Sequence, residues 1–216
     1  MARKSARVST QDRRSAGGPT AWRVPVGGSA DGGPDFPVMA FRLGNLGDGR
    51  AVLMDDGLVD GDSARWWDLA RLTGGRLADP MDALSDTEAL HSLTGLGGVP
   101  GGTPDGEAAL GDLAPPVPRP RKVFGIGMNY RAHVDEMERS LSAAPVIFTK
   151  FPSCLVGPAG DIVLVGDHTD YEVELVVVVG RRCRNLRPAE VWDALAGVTV
   201  GQDVSDRALQ VAAEPA

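Results

Sequence analysis

Three carboxylates and an imidazole–carboxylate pair carry the chemistry this sequence offers. Glu172 and Glu174 stand two residues apart in Tyr171-Glu172-Val173-Glu174-Leu175, directly before the run Val176–Val179. Alternate side chains of a strand share a face, so both carboxylates point the same way. Two like charges leading into an apolar run cost free energy unless a cation or basic groups offset them. Asp203 closes a further expected strand, Val198 to Gln202, and supplies a third carboxylate. Three carboxylate oxygens, with waters completing the shell, suit Mg²⁺, Mn²⁺ or Ca²⁺ rather than zinc. An alternating Glu-x-Glu also describes the wet face of an antiparallel strand. The unbroken valine run, which predicts burial on both sides, favours the metal.

His133 and Glu136 are three apart on a short expected helix, so their side chains can lie on one face. A carboxylate beside an imidazole orients it as a base able to activate water or move a proton. Taken alone, such a pair is more often a solvated helix face. The Gly125-Ile126-Gly127 turn is not a dinucleotide fingerprint, because Tyr130 stands where that pattern needs glycine.

These residues need strands and turns to hold them. Residues 1–35 are rich in Arg, Ser and Gly, with no apolar signal core, and read as a basic disordered tail. From residue 36 to 95 the pattern predicts a small β-meander with helices. Its strands are 38–43 and 51–54, with a turn at Gly47–Arg50 and a second turn signal at Asp55–Gly57. A helix is expected from Ser63 to Leu72, ended by Gly74-Gly75, and another over 82–91. Trp66 and Trp67 are expected to be packing residues. Residues 96–120 are dense in Gly and Pro and read as a connector. Beyond it, strands are expected at 122–127, 146–150, 162–165, 171–179 and 198–203, with a helix from Pro188 to Ala196.

Composition narrows the classes. A chain of 216 residues buries one good core, or one large unit and a small one. The 28 glycines and 16 prolines favour many turns and a strand-rich fold. A net charge of -7 argues against nucleic acid as the main partner. No apolar stretch approaches the length of a membrane span. The two cysteines, Cys154 and Cys183, form no metal motif and are expected to be semi-buried thiols, with a reducing cytoplasm the simplest setting.

In this order the motifs resemble the fumarylacetoacetate hydrolase family. The resemblance rests on Val123-Phe124-Gly125-Ile126-Gly127-Met128-Asn129-Tyr130 with His133 and Glu136, then on Phe148 and Lys150. Tyr171-Glu172-Val173-Glu174-Leu175 to Gly180 follows, and Gly201-Gln202-Asp203-Val204-Ser205-Asp206-Arg207 with Gln210 closes it. It covers residues 121–210 closely and 36–120 loosely. It implies an α+β, mostly β fold, a mixed β-roll or sandwich, with 121–216 as the catalytic part. It implies a metal-dependent, homodimeric enzyme acting on small 2-oxo or diketo acids such as acylpyruvates. Glu172, Glu174 and Asp203 would hold Mg²⁺ (or Mn²⁺ or Ca²⁺), and His133 with Glu136 would handle protons. Arg207 and Gln210 would meet the substrate's oxygens. A 2-oxo acid chelated there would have its carbonyl polarised. Hydrolysis, hydration, decarboxylation and isomerisation all fit one such apparatus.

The sequence departs from the family in having Gln202 where asparagine is usual before the metal-binding aspartate. The resemblance also implies later strands carrying a lysine and a threonine. A chain ending at Ala216 lacks them, and the expectation is low stability and little activity for it alone. A second reading is a non-catalytic, metal-binding remnant of the family. A third is a plain β-rich binding module, which must explain the histidine motif and Asp203 as separate accidents.

Overall fold

The computed structural model describes residues 41–93, 100–130, 144–164 and 166–212. β1 (Arg42–Asn45) and β2 (Ala51–Met54) form a hairpin about the expected turn, with β1 later than the strand expected over 38–43, of which 38–40 lie outside the described residues. The Leu46 N–H donates to the Arg50 carbonyl, and Gly49 takes a positive φ of 90° at the turn. A single helical turn, α1 (Gly57–Asp60), leads into β3 (Ser63–Asp68). α2 (Leu69–Thr73), α3 (Pro80–Ser85) and α4 (Thr87–Leu93) follow, and β4 (Gly106–Ala109) completes an antiparallel sheet of order β1-β2-β3-β4.

β2 explains why this sheet is stable. Val52 and Met54 face a core with Leu46, Ala64, Trp66 and Ala108. Ala51 and Leu53 face another, with Leu69, Leu77, Ala83 and Leu90. Both faces are covered, so the strand is apolar throughout instead of alternating.

Three expectations change here. The helix over Ser63–Leu72 is a strand as far as Asp68. Trp66 and Trp67 pair with Met54 and Leu53, and aromatic side chains fit a pleated surface well. Helix begins only after Asp68, whose carboxylate accepts the N–H groups of Ala70 (2.7 Å) and Arg71 (3.2 Å) as an N-cap. The helix over 82–91 is two helices separated at Asp86. Within the Gly/Pro-rich stretch, Gly106–Ala109 is a sheet strand, not connector. A Cβ on Gly106 would lie 2.7 Å from the Trp66 ring, so only glycine fits beneath it. The prolines that follow run irregularly, tied back by Ala114 N–H to the Asn45 carbonyl at 2.8 Å and by an Arg119–Asp79 ion pair.

The second half is built of two-stranded antiparallel ribbons. β5 (Val123–Gly127) pairs β6 (Val146–Lys150), with the Phe148 ring lying across Gly125, where a side chain has no room. β7 (Thr169–Asp170) and β8 (Val173–Val179) precede β9 (Leu195–Gln202) and β10 (Ser205–Asp206). β8 pairs β9, β7 pairs β10, and α5 (Arg207–Ala212) closes the described chain.

The valine run does not have the two-sided burial its composition predicts. One ribbon face carries Val173, Leu175, Val177, Val179, Val198 and Val200, all exposed, because nothing among the described residues packs on it. Ile162–Leu164 join no ladder, and the helix from Pro188 is two short 3-10 turns, Pro188–Glu190 and Trp192–Ala194. Both cysteines are exposed rather than semi-buried. No described helix is long and apolar enough to cross a membrane. The fold is α+β and mostly strand, as expected.

Candidate metal centre

The β8–β9 ladder assembles the carboxylates. Val173 pairs with Gln202 and Glu174 with Gly201. One step further, the Asp203 N–H donates to the Glu172 carbonyl at 2.8 Å. Cross-strand partners share a face, as do alternate residues of one strand. Glu172, Glu174 and Asp203 therefore converge on the face opposite the exposed valines. One oxygen from each lies within 4.8 Å of the others, and all three residues are partly buried. Gly201 stands opposite Glu174 and leaves it room. A Cβ there would come within 2.7 Å of Val176 Cγ2.

Among the described residues, Lys150 and Arg207 face this acidic group. Lys150, the last residue of β6, places its ammonium on Asp203 Oδ1 from the neighbouring ribbon. Arg207, the first residue of α5, contacts Glu172 and also donates Nε and Nη2 to Asp170 Oδ2, both at 3.1 Å. Its Nη1 donates to Gln210 Oε1 at 3.0 Å. Burial draws the Arg207 pKa down, but hydrogen bonds to Glu172 and Asp170 outweigh it and hold the guanidinium above its ordinary value. The Tyr171 N–H, and then Arg207, hold the Asp170 carboxyl below the usual range. Asp206 caps α5, accepting from Ala208 and Leu209 at 3.0 and 3.1 Å, which fixes the start of the helix that carries Arg207.

The donor set fits a hard divalent cation. It is all oxygen, anionic, convergent and sheltered, with only 11% of the Asp203 side chain exposed. The fold brings together every residue expected at the metal, and it joins Arg207 to Gln210 beside them. His133 and Glu136 lie outside the described residues. Spacing gave no role to Lys150 or Asp170. Lys150 is separated from Asp203 by 53 residues, and no local periodicity links them. Its alternation with Phe148 on β6 signals only which face it shares.

Known proteins resemble this chain in sequence and in fold. Residues 122–216 match the family described as fumarylacetoacetate (FAA) hydrolase C-terminal. A fumarylacetoacetate hydrolase domain-containing protein 2 homolog of Dictyostelium discoideum is 39% identical over 94 residues, 43% of this chain and 31% of that protein. A mitochondrial oxaloacetate tautomerase of Bos taurus is 42% identical over 98 residues, 44% of this chain and 31% of its own length. Among solved structures, one from Mycobacterium smegmatis described as an HpcE protein superposes with TM-score 0.64 at 39% identity. It covers 81% of this chain and 58% of that one. A maleylpyruvate hydrolase from Sphingobium sp. SYK-6, in complex with manganese (II) ion and pyruvate, gives TM-score 0.55 at 26% identity, covering 77% of this chain and 59% of that one. The chain thus spans under a third of the length of these curated relatives. The motifs, the ladder that joins their carboxylates and the match itself place residues 122–216 with the fumarylacetoacetate hydrolase family.

Proposed function

We propose that this chain carries the metal-binding part of an enzyme that acts on small 2-oxo or diketo acids, of the acylpyruvate kind met in the breakdown of aromatic compounds. The observation that carries the reading is the convergence of Glu172, Glu174 and Asp203 on one ribbon face. Mg²⁺, Mn²⁺ or Ca²⁺ suits that oxygen set, and the manganese named with the Sphingobium hydrolase supports this class of ion. When bound, such an ion supplies Lewis-acid polarisation of a 2-oxo carbonyl.

The chain's own residues do the rest. Glu172, Glu174 and Asp203 hold the cation. Arg207, kept in place by Asp170 and Gln210, offers a fixed fork of donors to a substrate carboxylate. Gln210 adds a side-chain amide for a carbonyl oxygen. His133, with Glu136 as its orienting carboxylate, moves the proton or activates the water. Tautomerisation, isomerisation and hydrolysis share this opening, and relatives named for the first and last support a common apparatus. The proposed setting is a cytoplasmic, homodimeric enzyme with a small-molecule partner and no nucleic acid, in keeping with the net charge of -7.

Mn²⁺ titration followed by electron paramagnetic resonance tests the reading. The wild-type chain is expected to bind one ion, and Glu172→Ala to lose it. Equal binding by the two proteins would overturn the assignment. Oxaloacetate tautomerisation and acylpyruvate cleavage, assayed on the same chain, separate the reactions.

A further inference from the structure

We propose that Lys150 is the cation a divalent metal must displace from Asp203, and that the displaced ammonium then serves an anionic ligand at the same site. This rests on the metal-site reading above. Three carboxylates converge, and among the described residues Lys150 offsets Asp203 and Arg207 offsets Glu172. Their situations differ. Arg207 is anchored a second and third time, by Asp170 and Gln210, so it keeps partners when Glu172 turns to a metal. Among the described residues, the Lys150 ammonium has Asp203 as its acceptor.

Asp203 cannot give full charge to both Lys150 and a metal ion, and the two cations repel at that distance. The ion pair is partly buried, with 29% of the Lys150 side chain and 11% of the Asp203 side chain exposed, so solvent screens it less than a surface pair. Lysine suits the exchange: its compact ammonium rides on a flexible stem, whereas the fork of Arg207 is held rigidly. Once released, Lys150 stays tethered at the end of β6 beside the centre, a unit positive charge without its carboxylate. A ligand that brings its own carboxylate restores the balance. Metal and anion therefore favour each other through Lys150, and such coupling is reciprocal.

The test is Mn²⁺ affinity of the full chain, measured by electron paramagnetic resonance and calorimetry, with and without saturating pyruvate. Lys150→Met removes the competitor and keeps the bulk. It is expected to bind Mn²⁺ alone about two- to fivefold tighter than wild type, the range an ion pair of this kind is worth. Its enhancement by pyruvate should be smaller than that of wild type. Lys150→Arg keeps the charge and should bind Mn²⁺ alone more weakly than Lys150→Met, which separates charge from folding. Unchanged or weaker Mn²⁺ binding by Lys150→Met, with wild-type binding intact, overturns the Lys150 inference and leaves the metal site standing. Failure of the wild-type chain to bind Mn²⁺ overturns both.

Discussion

The Asp203 N–H meets the Glu172 carbonyl at 2.8 Å, extending the β8–β9 ladder one pair beyond Val173 and Gln202. A main-chain hydrogen bond thus fixes the spacing of two side-chain carboxylates from distant parts of the sequence. Glu174 joins them because a strand repeats every second residue. The acidic centre is a consequence of register, and register is sensitive to small changes in the ribbon.

Gly201→Ala tests that sensitivity. The added methyl would meet Val176 Cγ2 at 2.7 Å and press on the position facing Glu174. The expected outcome is a loss of roughly 1–3 kcal/mol in stability, as for other overpacked sites. Mn²⁺ affinity should fall in parallel. Denaturant unfolding and metal titration of one preparation check both.

Asp203→Ala removes a carboxylate that serves the metal set and Lys150 together. Mn²⁺ affinity is expected to drop by at least ~100-fold, the upper end of what outer-shell changes alone cost. Wild type should melt at a higher temperature when Mn²⁺ is added, because ligand binding stabilises the folded state. The variant should show little such shift.

Arg207→Lys keeps a charge and loses the fork. Its contacts to Asp170 lie near the surface, so the stability change should stay under about 1 kcal/mol. Pyruvate binding in the presence of Mn²⁺ is expected to weaken clearly, by roughly tenfold, for want of a bidentate donor. Calorimetry with pyruvate reads the second effect, and a thermal melt reads the first.

Acid should loosen the first sheet. The Met81 N–H, and then Arg119, hold Asp79 below the usual carboxylate range. Arg71, and then the Asp68 N–H, do the same for Asp105, and Arg76 does it for Asp86. Lowered carboxylates bind fewer protons folded than unfolded, so their stabilisation is full above the ordinary range. It is lost as pH falls through the lower folded-state values. Melting temperature is expected to decline below about pH 4, and Asp105→Asn should flatten that slope while lowering stability at neutral pH.

Local signals were read well where one residue decides the structure. Gly49 makes the turn its neighbourhood predicts, and Gly74 ends α2 in the left-handed conformation, at φ 61°. Trp66-Trp67 misled, because an apolar pair before Leu69 and Leu72 suits a helix face as well as a strand. Only pairing with β2 chose the strand. Gly106 looked like connector because a lone glycine carries no period. Its purpose appears only with the Trp66 ring above it.

Strand periodicity is a local property of the backbone, so the spacing of Glu172 and Glu174 alone puts them on one face. The motifs written in order along residues 123–210 carry the family resemblance of that part of the chain. Tertiary structure decided that Asp203 sits opposite Glu172, that Lys150 reaches Asp203 from another ribbon, and that the valine run is exposed on one side. Those facts depend on register and on contacts between segments far apart in sequence, which no spacing within a single strand encodes.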